Sequence, residues 1–105
     1  MLQHVFTLQS SITTPTTGDR LRIARQEARF TVQVTVAGTG SVETTVDIYA
    51  SNILTGPGGF LGTITLADDD IATDGFVVDA PCQYVWSDVT AISGSSAAVD
   101  VVVGV

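Results

Sequence analysis

The stretch Phe30-Thr-Val-Gln-Val-Thr-Val36 decides the fold class, because apolar and polar residues alternate along it without a break. Residues 42–50 repeat this alternation. Successive side chains of a β-strand point to opposite faces, so a period of two residues predicts strands that are buried on one face only. Such strands are typical of antiparallel sheets, and we expect an all-β antiparallel fold that closes as a sandwich or barrel.

Turn signals divide the rest of the chain into short segments. Glycines predict a tight hairpin at 37–41 and a longer loop at 51–59. An acidic loop follows at 68–75, and Gly94-Ser95-Ser96 predicts another turn. About eight short strands, separated by turns every 8–12 residues, indicate an antiparallel β-sandwich of jelly-roll-like type.

The domain organisation is read from length and from a polar segment near the N-terminus. With 105 residues, the chain predicts a single β-sandwich domain over 20–105. Residues 1–19 form an N-terminal strand and arm, because a short apolar strand precedes a threonine-rich stretch broken by Pro15 and Gly18. The strand either pairs with its own sheet or extends onto a neighbouring molecule, with Val5 and Phe6 as interface candidates.

Charge is strongly divided along the chain. The net charge is −7, there is no lysine, and nine of the eleven acidic residues follow position 42. This balance argues against nucleic-acid binding, which depends on clustered basic residues. The basic residues are confined to ten positions, where they either pair locally with Asp19 and Glu27 or dock on an acidic protein surface; they are Arg20, Arg22, Arg25 and Arg29. Residues 20–25 predict a second strand, with a short helix capped by Asp19 as the alternative.

Two aromatic residues occupy the polar face of a predicted strand. In 84–92, Asp88 and Thr90 mark one face as the outer one, yet Tyr84 and Trp86 lie on that same face. Aromatic side chains on an outer face are covered either by another part of the chain, here the N-terminal arm, or by another subunit. Tyr84 and Trp86 are therefore interface candidates.

No set of catalytic side chains is evident, and we expect a protein that is not an enzyme and holds no cofactor. His4 is the only histidine, so a nucleophile–histidine pair would depend on a residue near the terminus. Cys82 has no basic neighbour in sequence that would activate it, which favours a packing role. The glycine-rich segment 56–59 lacks the ending of a phosphate-binding loop.

The acidic segment offers the one plausible ion site. Asp68, Asp70 and Asp74 are weak candidates for calcium ligands, since calcium binds clustered carboxylates and carbonyls. Ala72 interrupts the spacing that an EF-hand requires, and no glutamate closes the loop. The segment therefore favours a solvated acidic turn over a metal site.

The sequence shows no targeting or membrane-spanning signal. Residues 1–8 lack both the basic start and the long apolar stretch of a signal peptide, and no apolar run approaches the roughly 20 residues needed to cross a bilayer. We expect a protein made in a cytoplasm and without a membrane partner.

The order of several motifs resembles a known group of proteins. The chain is similar to small virion-associated β-sandwich proteins of tailed bacteriophages, in which a strand ending T-V-x-I-x-G/A-S-N precedes an L-G-T-I-T-L strand and a strand of the type Y-V-R-A-x-V-T-A-I. The matching segments are 41–52, 61–66, 73–76 and 80–94, and the resemblance as a whole extends over roughly residues 30–103, about 70% of the chain. Trp86 stands where the phage pattern has arginine, so the role of that arginine cannot be carried over.

The resemblance implies a structural component of the virion: a capsid decoration or cement protein, or another head-associated protein. Its implied partners are the major capsid protein and copies of itself in dimers or trimers. The acidity of the chain favours the outer capsid surface, because the lumen holds DNA of the same sign. The alternatives are a carbohydrate-binding module that uses Tyr84 and Trp86 to stack on sugars, and a neck or tail connector.

Overall fold

The computed structural model describes residues 5–23, 29–79 and 82–104, and all regular structure within them is β-strand. The expected all-β antiparallel class is confirmed, but the described part holds six strands rather than about eight. They are β1 (Val5–Ile12), β2 (Thr16–Thr17), β3 (Leu21–Arg22), β4 (Arg29–Ser51), β5 (Gly59–Asp79) and β6 (Tyr84–Gly104). Among these residues, no helix is long and apolar enough to cross a membrane.

The strand count was wrong because three predicted turns are bends within long strands. β4 continues through the expected hairpin at 37–41, β5 through the acidic segment, and β6 through Gly94-Ser95-Ser96. Register irregularities lie at corresponding levels of all three strands, between Ala37 and Ser41 in β4. Gly40 and Gly94 have φ angles of 73° and 124° there. Extra residues and left-handed backbone bend a strand without ending its pairing, so these glycines bend the strands instead of reversing them.

All six strands belong to one antiparallel sheet with the order β1-β6-β4-β5. The short strands β2 and β3 also pair with β6, at Val89 and Asp88 and at Val85 and Tyr84 respectively. β6 is therefore paired on both sides, with β4 along one edge and with the N-terminal segments along the other. Within the described ranges, β5 pairs with β4 alone, so β5 forms an edge of the sheet.

The core is built from the alternating residues of the long strands on both sides of the bend. Val32, Val34 and Val36 precede the bend in β4, Val46 and Ile48 follow it, and all are at most 1% exposed in one hydrophobic cluster. Fully burying such a side chain contributes about 1.5–3 kcal/mol relative to exposing it. The sheet thus curls around a single core, and the alternation predicted for 30–36 and 42–50 is confirmed. A jelly-roll arrangement is not confirmed.

The N-terminal segment pairs with its own sheet over the described residues. Val5 to Ile12 align with Gly104 to Val99 of β6, with irregular register after Thr7. Gln9 reaches inward, where its Oε1 accepts a hydrogen bond from the buried Ser87 hydroxyl, while its Nε2 donates to the Thr16 carbonyl. Of the two alternatives for residues 1–19, the structure has pairing within the chain over residues 5–17. Residues 1–4 lie outside the described part.

Candidate functional site

Three aromatic side chains form a row across the outer face of the sheet near the β4–β5 connection. Tyr49 of β4 is aligned with Phe60 of β5 on one side and with Trp86 of β6 on the other. Ring centroids are 5.8 Å apart in both pairs; Tyr49 and Phe60 meet edge to face, whereas Tyr49 and Trp86 are stacked at 15°. Such cross-strand aromatic pairs stabilise a sheet by about 0.5–1.5 kcal/mol each beyond area burial.

Arg20 covers Trp86. Its guanidinium carbon lies 3.9 Å from the centre of the Trp86 ring, within the range of a cation–π contact. The same guanidinium donates to the carbonyls of Ile53 (3.1 Å) and Gly56. Arg20 therefore joins the N-terminal segment, the β6 aromatic residue and the 52–58 loop, and these contacts use its donors inside the chain.

The loop packs closely against the tryptophan because of a glycine. A Cβ on Gly58 would lie 2.1 Å from Cη2 of Trp86 and 2.9 Å from the Ala50 carbonyl, so only glycine fits without rearrangement. As a result Trp86 is only 7% exposed, although it lies on the outer face. The cover predicted for Trp86 is supplied within the chain by Arg20, just after the predicted arm, and by the loop. The role of Trp86 as an intermolecular anchor stays a prediction.

The same loop carries two exposed aliphatic side chains. Ile53 and Leu54 are 59% and 60% exposed, and neighbouring Phe60 is 59% exposed.

Tyr84 is half-buried and is aligned with Arg22 of β3, which is exposed. Arg20 and Arg22 flank the inward Leu21, so both arginines lie on the outer face beside the loop. Arginine and exposed apolar side chains are thus found together at this end.

The remaining interface candidates lie elsewhere. Arg29 begins β4 and is exposed, and Arg25 lies outside the described residues. Val5 and Phe6, at the start of β1, are 65% and 38% exposed. The structure therefore brings Arg20, Arg22, Tyr84 and Trp86 to one end of the sheet, whereas Val5 and Phe6 belong to the edge formed by β1.

Aspartates line the free edge formed by β5. The carboxylates of Asp68 and Asp74 accept hydrogen bonds from the backbone N–H of the residue that follows each, at 2.8 Å. Asp70, with a φ angle of 65°, accepts from the backbone N–H of Gly40 at 2.8 Å and fixes the bend. The outward N–H groups of Asp69 and Gly75 are thus occupied by side chains, which together with the charge protects an edge against strand addition.

The calcium candidates are not brought together. Over the ranges that the structure describes, no group of three or more His, Cys, Asp or Glu side chains could hold a metal ion.

Cys82 is partly buried, and desolvation raises the pKa of its thiol above the ordinary value. A raised pKa keeps the thiol protonated and unreactive at neutral pH.

A shallow hollow of about 360 Å³ opens over β4 and β5 before the bend, and both apolar and polar side chains of these strands line it. Thr73 accepts a hydrogen bond from the Gln33 amide at 3.1 Å, lies 3.0 Å from the Thr35 hydroxyl, and donates to the Val34 carbonyl. These contacts satisfy the hydroxyls and the amide within the sheet. They strengthen the outer face and leave few free polar groups for a ligand.

Sequence reasoning missed Tyr49 and Phe60 as parts of the site. Tyr49 ends the alternating segment 42–50 on its polar face, and Phe60 opens the next strand. If the segment 42–50 and the next strand had been aligned as a hairpin, Tyr49 and Phe60 would have been placed opposite each other. The contact of Arg20 with Trp86 joins residues 66 positions apart and carries no comparable signal in sequence.

Comparisons with known proteins support the fold. No family model matches the chain, and no curated protein matches it in sequence. Among solved structures, the SPBc2 prophage-derived protein YomS superimposes with a TM-score of 0.61 at 16% identity, over 98% of this chain and 93% of that one. A structure of infectious bursal disease virus, Gx strain, gives a TM-score of 0.46 at 12% identity, over 98% of this chain and 32% of that chain. The chain therefore shares its fold, over nearly its whole length, with a protein encoded by a prophage.

Proposed function

We propose that the protein is a non-enzymatic structural component of a bacteriophage particle, which binds the capsid and stabilises it as a decoration or cement protein. The observation that carries this proposal is the end-to-end likeness to the fold of a prophage-derived protein. Fold alone does not fix function, so the proposal also uses the motif resemblance described above. The finer architecture proposed is a two-layered sandwich, in which the curled sheet packs its two halves against each other.

The chemistry of the described surface supports a role through contact area. The outer-face hydroxyls and carboxylates that form hydrogen bonds do so mainly with groups of the same sheet, such as Thr63 with Asp47 at 2.7 Å and Thr17 with Asp88 at 3.0 Å. Large apolar side chains stay exposed on the loop and on β5. A surface with satisfied polar groups and exposed aliphatic side chains is suited to protein–protein association.

The acidic surface supports an outer position on the particle. Four aspartates follow one another closely on β5, and the whole chain carries −7. Such a surface would be repelled by packaged DNA, but it meets no such penalty on the outside of a capsid. The major capsid protein is the proposed partner, together with copies of this chain in closed dimers or trimers.

The alternative of a carbohydrate-binding module is weakened by the burial of Trp86. A sugar-stacking platform requires an open ring face, but Trp86 is 7% exposed and lies beneath Arg20. A neck or tail connector remains the alternative within the same class, and only the position on the particle distinguishes it from a decoration protein.

Particle composition tests the proposal. Phage particles released by cells that encode the chain are purified by density gradient, heads and tails are separated, and each fraction is probed by mass spectrometry. We expect many copies in the head fraction, released by mild denaturant before the capsid itself dissociates. Copies confined to tails would favour the connector, and absence from purified particles would overturn the structural proposal.

A further inference from the structure

Two surfaces of the molecule have opposite charge and both carry exposed apolar side chains. We define the arginine end as Arg20, Arg22, Ile53, Leu54 and Phe60, at the β4–β5 connection. We define the aspartate edge as Asp68, Asp69, Asp74, Ile71 and Val77, along β5. The five apolar side chains in these sets are each between 58% and 60% exposed.

We infer that the arginine end of one molecule docks on the aspartate edge of a second copy of this chain. The partner is specified by charge. The chain contains four basic residues, all between positions 20 and 29, so an acidic surface on one copy can be neutralised by another copy only through that segment. Arg22 is exposed, and its planar guanidinium binds carboxylates through paired hydrogen bonds.

The arginine end is held in one conformation before docking. Arg20 holds the 52–58 loop in place by its contact with Trp86 and its hydrogen bonds to loop carbonyls. The loop that carries Ile53 and Leu54 is therefore ordered before association. A surface that is already ordered loses less conformational entropy on association. Arg20 therefore orders the loop, whereas Arg22 and the two aliphatic side chains contact the second copy.

The aspartate edge favours side-chain docking over strand addition. The N–H groups of Asp69 and Gly75 point away from β4 and are occupied by neighbouring carboxylates. A second strand would have to displace these bonds before it could pair with β5. The carboxylates and the exposed Ile71 and Val77 remain available to an arginine-bearing, apolar surface.

When one copy contributes its arginine end and the other its aspartate edge, the contact is head to tail. A head-to-tail contact generates a ring when the rotation closes and a filament when it does not. This inference concerns self-association and does not depend on the virion proposal: the chain could associate in this way without being part of a particle, and a particle component could bind a capsid without it.

Charge exchange tests the inference. Arg22→Glu reverses the charge of the exposed group at the arginine end, and Asp69→Arg reverses one charge of the aspartate edge. Asp69 is chosen because the hydrogen bonds at the bend use Asp68 and Asp70 instead. We expect wild-type chain to associate in sedimentation velocity at low salt, and each single variant to associate at least tenfold more weakly.

Mixing the two variants gives the decisive result. Each contact between the two single variants in an equimolar mixture brings together either the two reversed charges or the two original charges, so association returns in the mixture. The double variant with both changes in one chain is also expected to associate. Ser10→Arg, on the exposed side of β1 at the opposite edge, adds positive charge outside both surfaces and serves as the control.

The apolar contribution is tested separately with Ile53→Ser and Leu54→Ser combined. These side chains are exposed in the monomer, so the melting temperature is expected to stay within the error of wild type while association weakens. Circular dichroism melts verify folding of every variant. A wild type that stays monomeric at low salt, single variants that associate like wild type, or a mixture that stays dissociated would each overturn the inference.

Discussion

The guanidinium of Arg20 lies 3.9 Å above the centre of the Trp86 ring, and this contact links the N-terminal segment to the sheet's last strand. Trp86 is the only tryptophan in the chain, so its fluorescence reports directly on this contact.

Arg20→Gln is expected to loosen the loop and expose the tryptophan. A cation–π contact contributes about 0.5–2 kcal/mol, and the loop carbonyls also lose a charged donor. We expect a loss of about 1–3 kcal/mol in the free energy of unfolding, with red-shifted emission and stronger acrylamide quenching. Arg22→Gln is the matched control, because Arg22 is exposed, and its emission should be that of wild type.

Gly58→Ala is expected to destabilise the protein by steric conflict. The new Cβ would lie 2.1 Å from Trp86, and inserting a methyl group into a closely packed site typically costs about 1–3 kcal/mol. Gly59→Ala is the control, since its nearest neighbour would be the Ala50 carbonyl at 3.7 Å. Equal melting temperatures for the two variants would contradict the close packing of the loop on Trp86.

Ser87→Ala is expected to destabilise the core from the inside. Ser87 is fully buried and donates to the Gln9 side chain, which is itself 5% exposed. Removing the donor leaves a buried acceptor without its partner, at a cost of about 1–3 kcal/mol. Ser93→Ala, at an exposed position of the same strand, should change the free energy of unfolding by less than about 0.5 kcal/mol in urea denaturation.

Deletion of residues 1–12 is expected to weaken or abolish the cooperative melt, because β1 pairs with β6 and buries Leu8 and Gln9. Differential scanning calorimetry measures this loss. A truncated chain that melts like wild type would mean that β1 contributes no stability and would support the alternative in which it serves as an arm.

The Cys82 thiol is expected to react slowly with a disulfide reagent at neutral pH. Burial raises its pKa, so folding favours the protonated thiol and the thiolate fraction is below that of an exposed cysteine. For the same reason, its contribution to stability is present below the ordinary thiol pKa and is lost as pH rises through the raised value. Reaction rates between pH 7 and 10, compared in native buffer and in urea, measure the shift.

The alternation of residues predicted the buried faces of 30–36 and 42–50 correctly, because period two is a local property that the sheet retains. Strand length was not predictable from the same signals. Gly40 and Gly94 favour left-handed backbone equally well in a hairpin and in a bend, and the difference depends on whether partner strands bend at the same level. Whether the three strands bend at the same level depends on all three sequences together and is not visible in any one of them.

The burial of Trp86 shows the same limit at the site. Its place on the outer face followed correctly from the polar residues Asp88 and Thr90, and a cover was expected. Trp86 is covered by Arg20 and the 52–58 loop, two segments that are distant in sequence and come into contact above the sheet. Local sequence patterns do not predict a contact between segments so far apart in sequence. Past Val89 a strict period of two would bury Ala91 and expose Ile92. An irregular register between Thr45 and Val46 of β4 shifts β6 instead, which leaves Ala91 exposed and turns Ile92 toward the core.

The pairing of β1, β2 and β3 with β6 sets an order for folding during synthesis. These N-terminal strands have their sheet partner in β6, which is synthesised later than β4 and β5, so they stay unpaired while β4 and β5 form their hairpin. Contacts between residues so distant in sequence slow folding, because the loop between them must close before pairing is rewarded. The nascent chain therefore holds apolar strand segments exposed until β6 emerges, and the ribosome-bound intermediate is the stage most open to chaperone binding.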